Sequence, residues 1–164
     1  MNLRPSVRRL QGFTLIEMLV TVAIVGLLST VAFPLLELTE RRSHEQELRV
    51  ALRQIRSAID SYKQAVDEGR VVETTKGSGY PPNLELLVNG VPDAKSPSQA
   101  SILLFLRRVP VDPFNPPNPE AASSAWGLRS YASPRDNPQP GADVFDVYSL
   151  APGIGLNGVP YKEW

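Results

Sequence analysis

The 164 residues suit one ordinary domain with an accessory segment; 17 basic and 17 acidic side chains balance to a formal charge of zero, without the basic excess of a general nucleic-acid binder. There is no cysteine and a single histidine, His44, which removes disulfides, Cys-ligated metals, thiol nucleophiles and multi-histidine metal sites. Ser149, His44 and an aspartate do not make a credible triad, since nothing in the pattern orients them.

The chain begins with a short basic stretch. Residues 1–12 carry Arg4, Arg8 and Arg9 and no acid, and residues 18–36 are 19 consecutive uncharged positions rich in Leu, Val, Ile and Ala. At about 1.5 Å per residue that run approaches the roughly 30 Å hydrocarbon core of a bilayer. Basic residues ahead of the first apolar run favour a cytoplasmic N-terminus, with everything after Leu36 on the far side of the membrane. A cleavable secretory signal, with Thr30-Val31-Ala32 as the small-residue cleavage site, and a plain membrane anchor are the bland readings. Neither accounts for Glu17, an acid at the edge of the apolar run, where a charge costs a few kcal/mol and calls for a partner.

The residues Gly12-Phe13-Thr14-Leu15-Ile16-Glu17 closely resemble the processing site of type IV pilins and their relatives, the pseudopilins. The resemblance covers the leader and the whole apolar run, including Pro34, where a helix kink is expected in the membrane segment. It implies that a prepilin peptidase cuts between Gly12 and Phe13 and methylates the new amino group of Phe13. It also implies that Glu17 neutralises the Phe13 amine of a neighbouring subunit during filament assembly.

Beyond the apolar run the pattern becomes amphipathic. Residues 35–68 contain neither Gly nor Pro, and Leu48, Leu52, Ile55, Ile59, Tyr62 and Val66 recur at helical spacing. Arg49, Arg53, Arg56, Asp60 and Lys63 stand between them, and Glu37–Arg41 and Glu45–Arg49 are favourable i,i+4 pairs. With Gly69 as a stop signal, residues 13–68 read as one helix on the order of 84 Å long. The stripe reads as a packing face for a small domain rather than a coiled-coil seam, and His44, in a charged stretch, as a solvated side chain.

Fourteen of the 16 prolines lie at or after Pro81, so the remainder is turn-rich. Residues 70–111 read as a loop with short helices: one over 84–88 capped by Asn83, another over 102–107 started by Ser98 or Ser101. Residues 112–119 read as a rigid extended loop, 126–132 and 144–150 as strands, and 160–164 as a marginal third strand. In the second strand Phe145 and Val147 are expected on one face, with Val144, Asp146 and Tyr148 on the other.

These features are similar to the globular domain of the major pseudopilins of type II secretion, which packs a small antiparallel sheet against the long helix. The landmarks are Tyr80-Pro81, Asp112-Pro113, Trp126-Gly127 with Tyr131, and 145–149 ahead of a glycine loop and Trp164. In the family the Asp-Pro and Trp-Gly elements run together, whereas here residues 114–125 intervene. The resemblance also implies calcium near the C-terminus. Residues 150–162, however, hold no Asp or Glu and only Asn157 as a side-chain carbonyl, so calcium there is a minor reading and no cofactor is expected.

The expected architecture is therefore α+β and type IV pilin-like: leader 1–12, transmembrane and assembly helix 13–36, and a periplasmic domain 37–164 that includes the amphipathic helix 37–68. The expected function is a non-enzymatic subunit of a type II secretion pseudopilus, single-pass in the inner membrane. Its expected partners are copies of itself, other pseudopilins, the prepilin peptidase, the inner-membrane assembly platform and membrane lipid, with no nucleic acid. The alternatives are a type IV pilus pilin, which often carries a disulfide that this chain cannot form, and a signal-cleaved secreted binding protein or enzyme starting near Phe33.

Overall fold

A computed structural model gives residues 12–75, 77–96, 101–115 and 122–164, with the side chains of residues 31–34 left out of the description. The chain divides into two compact units, one ending at Arg41 and one running from Arg42 to Trp164. Helix α1, Leu15–Asp67, supplies both.

In the first unit the helix opens on a side-chain cap. The Thr14 hydroxyl accepts the Glu17 N–H at 3.3 Å, which places Glu17 in the first turn. A carboxylate there is favourably placed against the exposed N–H groups of the helix start. The side chains from Leu15 to Leu28 stand exposed, and an 18-residue stretch of this helix is apolar enough to cross a membrane with none of it buried. Its hydroxyls are satisfied internally: Thr21, Ser29 and Thr30 donate to the carbonyls of Met18, Val25 and Leu27 at 2.7–2.9 Å. Self-satisfied polar groups are what a helix surrounded by hydrocarbon requires.

The second unit is built on the rest of α1. Leu48, Leu52, Ile55, Ile59 and Tyr62 are all buried and Val66 is partly buried, as the periodicity predicts; Ala51, Ala58 and Ala65 complete the stripe and let neighbouring segments approach closely. The helix ends at Gly69, whose φ of 68° continues the chain in the left-handed region. There the Gly69 N–H donates to Val66 O and the Arg70 N–H to Ala65 O, both at 2.8 Å, closing the last carbonyls. Over the stripe lie Val71, Leu84 and Leu87, Val91, Trp126, Val144, Val147 and Tyr161.

Helix α2, Glu85–Asn89, carries Leu87 inward and begins one residue later than expected, with Leu84 at its N-cap position; Asn83 Oδ1 still accepts the Leu86 N–H at 2.9 Å from just ahead of it. The helix expected over 102–107 is absent. Ile102–Leu103 (β2) pairs antiparallel with Val91–Pro92 (β1), and the Phe105 and Leu106 N–H groups both donate to Leu87 O. Tertiary pairing overrides the local propensity, and the α2 terminus gains donors for its carbonyl. Ser98, the other expected cap, lies outside the described residues.

The second ladder pairs Trp126–Arg129 (β3) with Asp146–Ser149 (β4), giving two short antiparallel sheets among the described residues. Both strands are shorter than the sequence pattern allows. Val147 alternates with Asp146 and Tyr148 as expected, but Val144 is buried on the core side while Phe145 turns outward. The break in alternation has a cause: the Val144 N–H donates to Pro81 O, and Phe145 packs edge-on against Tyr80 and Tyr131 under the Arg129 guanidinium. Residues 160–164 form no strand; Ile154 and Pro160 make an isolated bridge and Tyr161–Glu163 is a single 3-10 turn.

Gly127 lies across from Tyr148, and a Cβ there would sit 2.3 Å from the ring. Gly127→Val is therefore expected to destabilise the unit by about 1–3 kcal/mol through overpacking, read as a lower midpoint in denaturant.

The turn after α1 is closed by Arg70, which donates to Asp93 Oδ2 at 2.7 and 3.2 Å. The hydrogen bond from Arg70 holds the Asp93 carboxyl below its ordinary 3.8. Burial pushes Asp143 up, but hydrogen bonds from Ser130, Ser78 and the Tyr131 N–H outweigh it and leave that carboxyl lowered too. Because both folded values are depressed, their contribution is fully present above the ordinary aspartate range and is lost as pH falls through the folded values. Asp93→Asn is expected to flatten the acid limb of a plot of Tm against pH, below the ordinary aspartate range.

Candidate functional site

Two places carry the residues singled out in the sequence. The first is the start of α1. Gly12 is exposed and open on all sides, Phe13 is 76% exposed, and Glu17 stands exposed one turn into the helix. An exposed glycine followed by an exposed aromatic, just ahead of the first helical turn, is accessible to a processing enzyme. Residues 1–11 lie outside the described residues, as does the side chain of Pro34, and with it the expected kink. The sequence reading missed Thr14, whose spacing to Glu17 is the Thr-x-x-Glu signature of a capped helix start.

The second place is the C-terminal loop. The Asn157 carbonyl accepts the Val159 N–H at 3.1 Å, within a turn in which Gly155 N–H donates to Val159 O. Three nearby aspartates, Asp112, Asp143 and Asp146, are engaged by protein donors, whereas Glu163 is exposed. Asp146 pairs with Arg56 at 2.7 Å and accepts its neighbour's N–H; Asp143 accepts Ser130 Oγ and the Tyr131 N–H. Asp112, fully buried, accepts Ser149 Oγ and the Phe114 N–H, so residues 112–115 form a turn rather than an extended loop. Among the described residues no group of three or more His, Asp or Glu gathers as for a metal ion. Calcium takes roughly six to eight oxygens turned inward, and the residues present do not fit that demand.

The charged face of α1 holds the main surprise. Glu45 is buried, Arg49 lies 4.4 Å over the Trp164 ring, and Arg56 donates to the carbonyls of Val147 and Trp164. These side chains recur at helical spacing and fasten the C-terminal segment, whereas sequence reasoning read Glu45 and Arg49 only as an i,i+4 pair and Arg56 only as a charge between the stripe residues. His44 is half-buried, edge-on to Phe114 at 5.7 Å, and not solvated as expected. The landmarks separated by residues 114–125 nonetheless meet: Trp126 Nε1 donates to Pro110 O at 2.9 Å and Asn115 Nδ2 to Ala125 O at 3.3 Å.

A capped, lipid-compatible helix start continuous with a helix that packs under short antiparallel ladders defines a type IV pilin-like filament subunit. Residues 7–33 match the model of the prokaryotic N-terminal methylation motif. The chain is 30% identical over 110 residues to the type II secretion system core protein G of Aeromonas hydrophila, covering 67% of this chain and 71% of that one. It is 28% identical over 157 residues to the protein of that name from Klebsiella pneumoniae, covering 93% and 89%, and 29% identical over 106 residues to that of Pectobacterium carotovorum, covering 65% and 63%. No solved structure matches. The chain belongs to the type II secretion system core protein G family, the major pseudopilins.

Proposed function

We propose that the chain is matured by cleavage between Gly12 and Phe13, methylated on the Phe13 amine, and built into a pseudopilus of a type II secretion system through residues 13–36. The observation that carries this reading is the N-terminal segment: a methylation motif over 7–33 leading into an exposed, uncharged helix with Glu17 in its first turn. In this reading the prepilin peptidase acts on the exposed Gly12–Phe13 bond. The apolar part of α1 holds the subunit in the inner membrane with its Arg42–Trp164 unit in the periplasm. The assembly platform and other pseudopilins are then its partners. The role is structural rather than catalytic, in keeping with buried acids that all serve as internal hydrogen-bond acceptors.

The Phe13 amine of one subunit and Glu17 of the next form the assembly pair. A carboxylate in a low-dielectric bundle is costly alone, and a cation repairs it only when subunits are in register. Processing is tested directly by Gly12→Leu, in which the branched side chain replaces an open position. Unprocessed precursor is expected to accumulate in the inner membrane, seen as a slower band on an immunoblot of membrane fractions. Full maturation of Gly12→Leu would contradict the reading.

A further inference from the structure

At Glu45 the C-terminal loop presents donors to the helix beneath it. Glu45 Oε1 accepts the Leu156 N–H at 2.7 Å and the Tyr161 hydroxyl at 3.1 Å, and the residue is 5% exposed. Around this carboxylate the segment is closed by rings. Trp164 lies against Gly155, where a Cβ would come within 2.3 Å of the indole, and its Nε1 donates to Val159 O at 3.1 Å. Tyr161 stacks on Phe114 with centroids 4.5 Å apart, and Arg56 holds the Trp164 carbonyl at 2.7 Å.

A calcium loop needs the opposite polarity, with carbonyls and carboxylates of the loop converging on a cation. Here the loop turns an N–H and an O–H inward onto an anion supplied by α1, and Asn157 spends its carbonyl on the Val159 N–H. The one side-chain carbonyl of residues 150–162 is thereby committed within the protein, and that stretch supplies no carboxylate of its own. We propose that Glu45 is the positioning residue of a protein-only clasp that fixes residues 153–164 on α1, so that this pseudopilin domain folds and holds its C-terminal loop without calcium. The clasp is carried by a charge-assisted hydrogen bond, the kind worth about twice a neutral one. The geometry depends on Glu45 in this chain and does not rest on the processing or assembly roles above.

The test uses the full chain in detergent micelles, by thermal melting and by hydrogen exchange of the Leu156 amide, in excess calcium chloride and in excess chelator. The parent is expected to melt at the same temperature and to exchange at the same rate in both. Glu45→Ala should speed exchange at Leu156 by roughly tenfold or more, the loss expected for a hydrogen bond to a charged group. Glu45→Gln, which keeps an acceptor of the same shape, should restore most of the protection, and Tyr161→Phe should speed exchange less than Glu45→Ala. If Glu45→Ala fails to fold, Tyr161→Phe and the parent comparison still decide the matter. A parent Tm that falls by more than about 5 °C in chelator would overturn the proposal, because that is how a bound ion stabilises a native state. Unchanged exchange in Glu45→Ala and in Tyr161→Phe, or no rescue by Glu45→Gln, would overturn it equally.

Discussion

Glu17→Val is expected to leave membrane insertion intact or improved while abolishing filament assembly. Valine removes a charge from the edge of the apolar run, which lowers the insertion cost by less than the roughly 2.5–3.5 kcal/mol that a charge costs at the centre of a membrane helix. The helix start is not disturbed, because the Thr14 hydroxyl accepts the backbone N–H of residue 17, which valine retains. In the proposed pairing with the Phe13 amine, assembly loses one partner of a desolvated pair, a change of about 3–5 kcal/mol per contact. That corresponds to a weakening on the order of a hundredfold to a few thousandfold at each subunit junction. Shearing and sedimentation of filaments from cells overproducing the variant, alongside carbonate extraction of membranes, separates the two effects. Wild-type filament yield from Glu17→Val would remove the salt-bridge role.

The second large effect is expected in the core. Ile55 is fully buried, midway along the stripe that receives Leu87, Trp126 and Val147. Truncation to alanine should cost about 2–5 kcal/mol, including the cavity left behind. Against a total stability of about 5–15 kcal/mol, that is a Tm lower by on the order of 10 °C. Val50, 42% exposed on another face of the same helix, is the control. Val50→Ala should change stability by no more than about 0.5 kcal/mol. Melting of Ile55→Ala at the Val50→Ala temperature would mean that the stripe is not the packing face.

The long helix was legible because its signals are local and periodic. An uncharged run, a stripe at spacings of three and four, and a glycine stop each act within a few residues, and α1 ends two residues before Gly69. The methylation motif was legible for the same reason, as a short contiguous string. What sequence missed depends on contacts across long separations. Residues 102–107 have a helical look, but pairing to residues 91 and 92 and donation to Leu87 O decide their state. Val144 and Phe145 break the strand alternation because Pro81 and Tyr80, more than sixty positions earlier, take one residue each. Glu45 looked like half of a surface ion pair, yet its carboxylate receives Leu156 and Tyr161, over a hundred positions away. No periodicity announces such a partner. A buried acid on the charged face of a helix becomes visible only when the loop that covers it is placed.

The most direct measurement is the N-terminal mass and sequence of the protein recovered from the inner-membrane fraction of cells that carry the prepilin peptidase. A chain that begins with N-methylated Phe13 and runs to Trp164 is the result the account predicts. A chain that begins at Phe33, after Ala32, would make the apolar segment a discarded secretory signal and would contradict it.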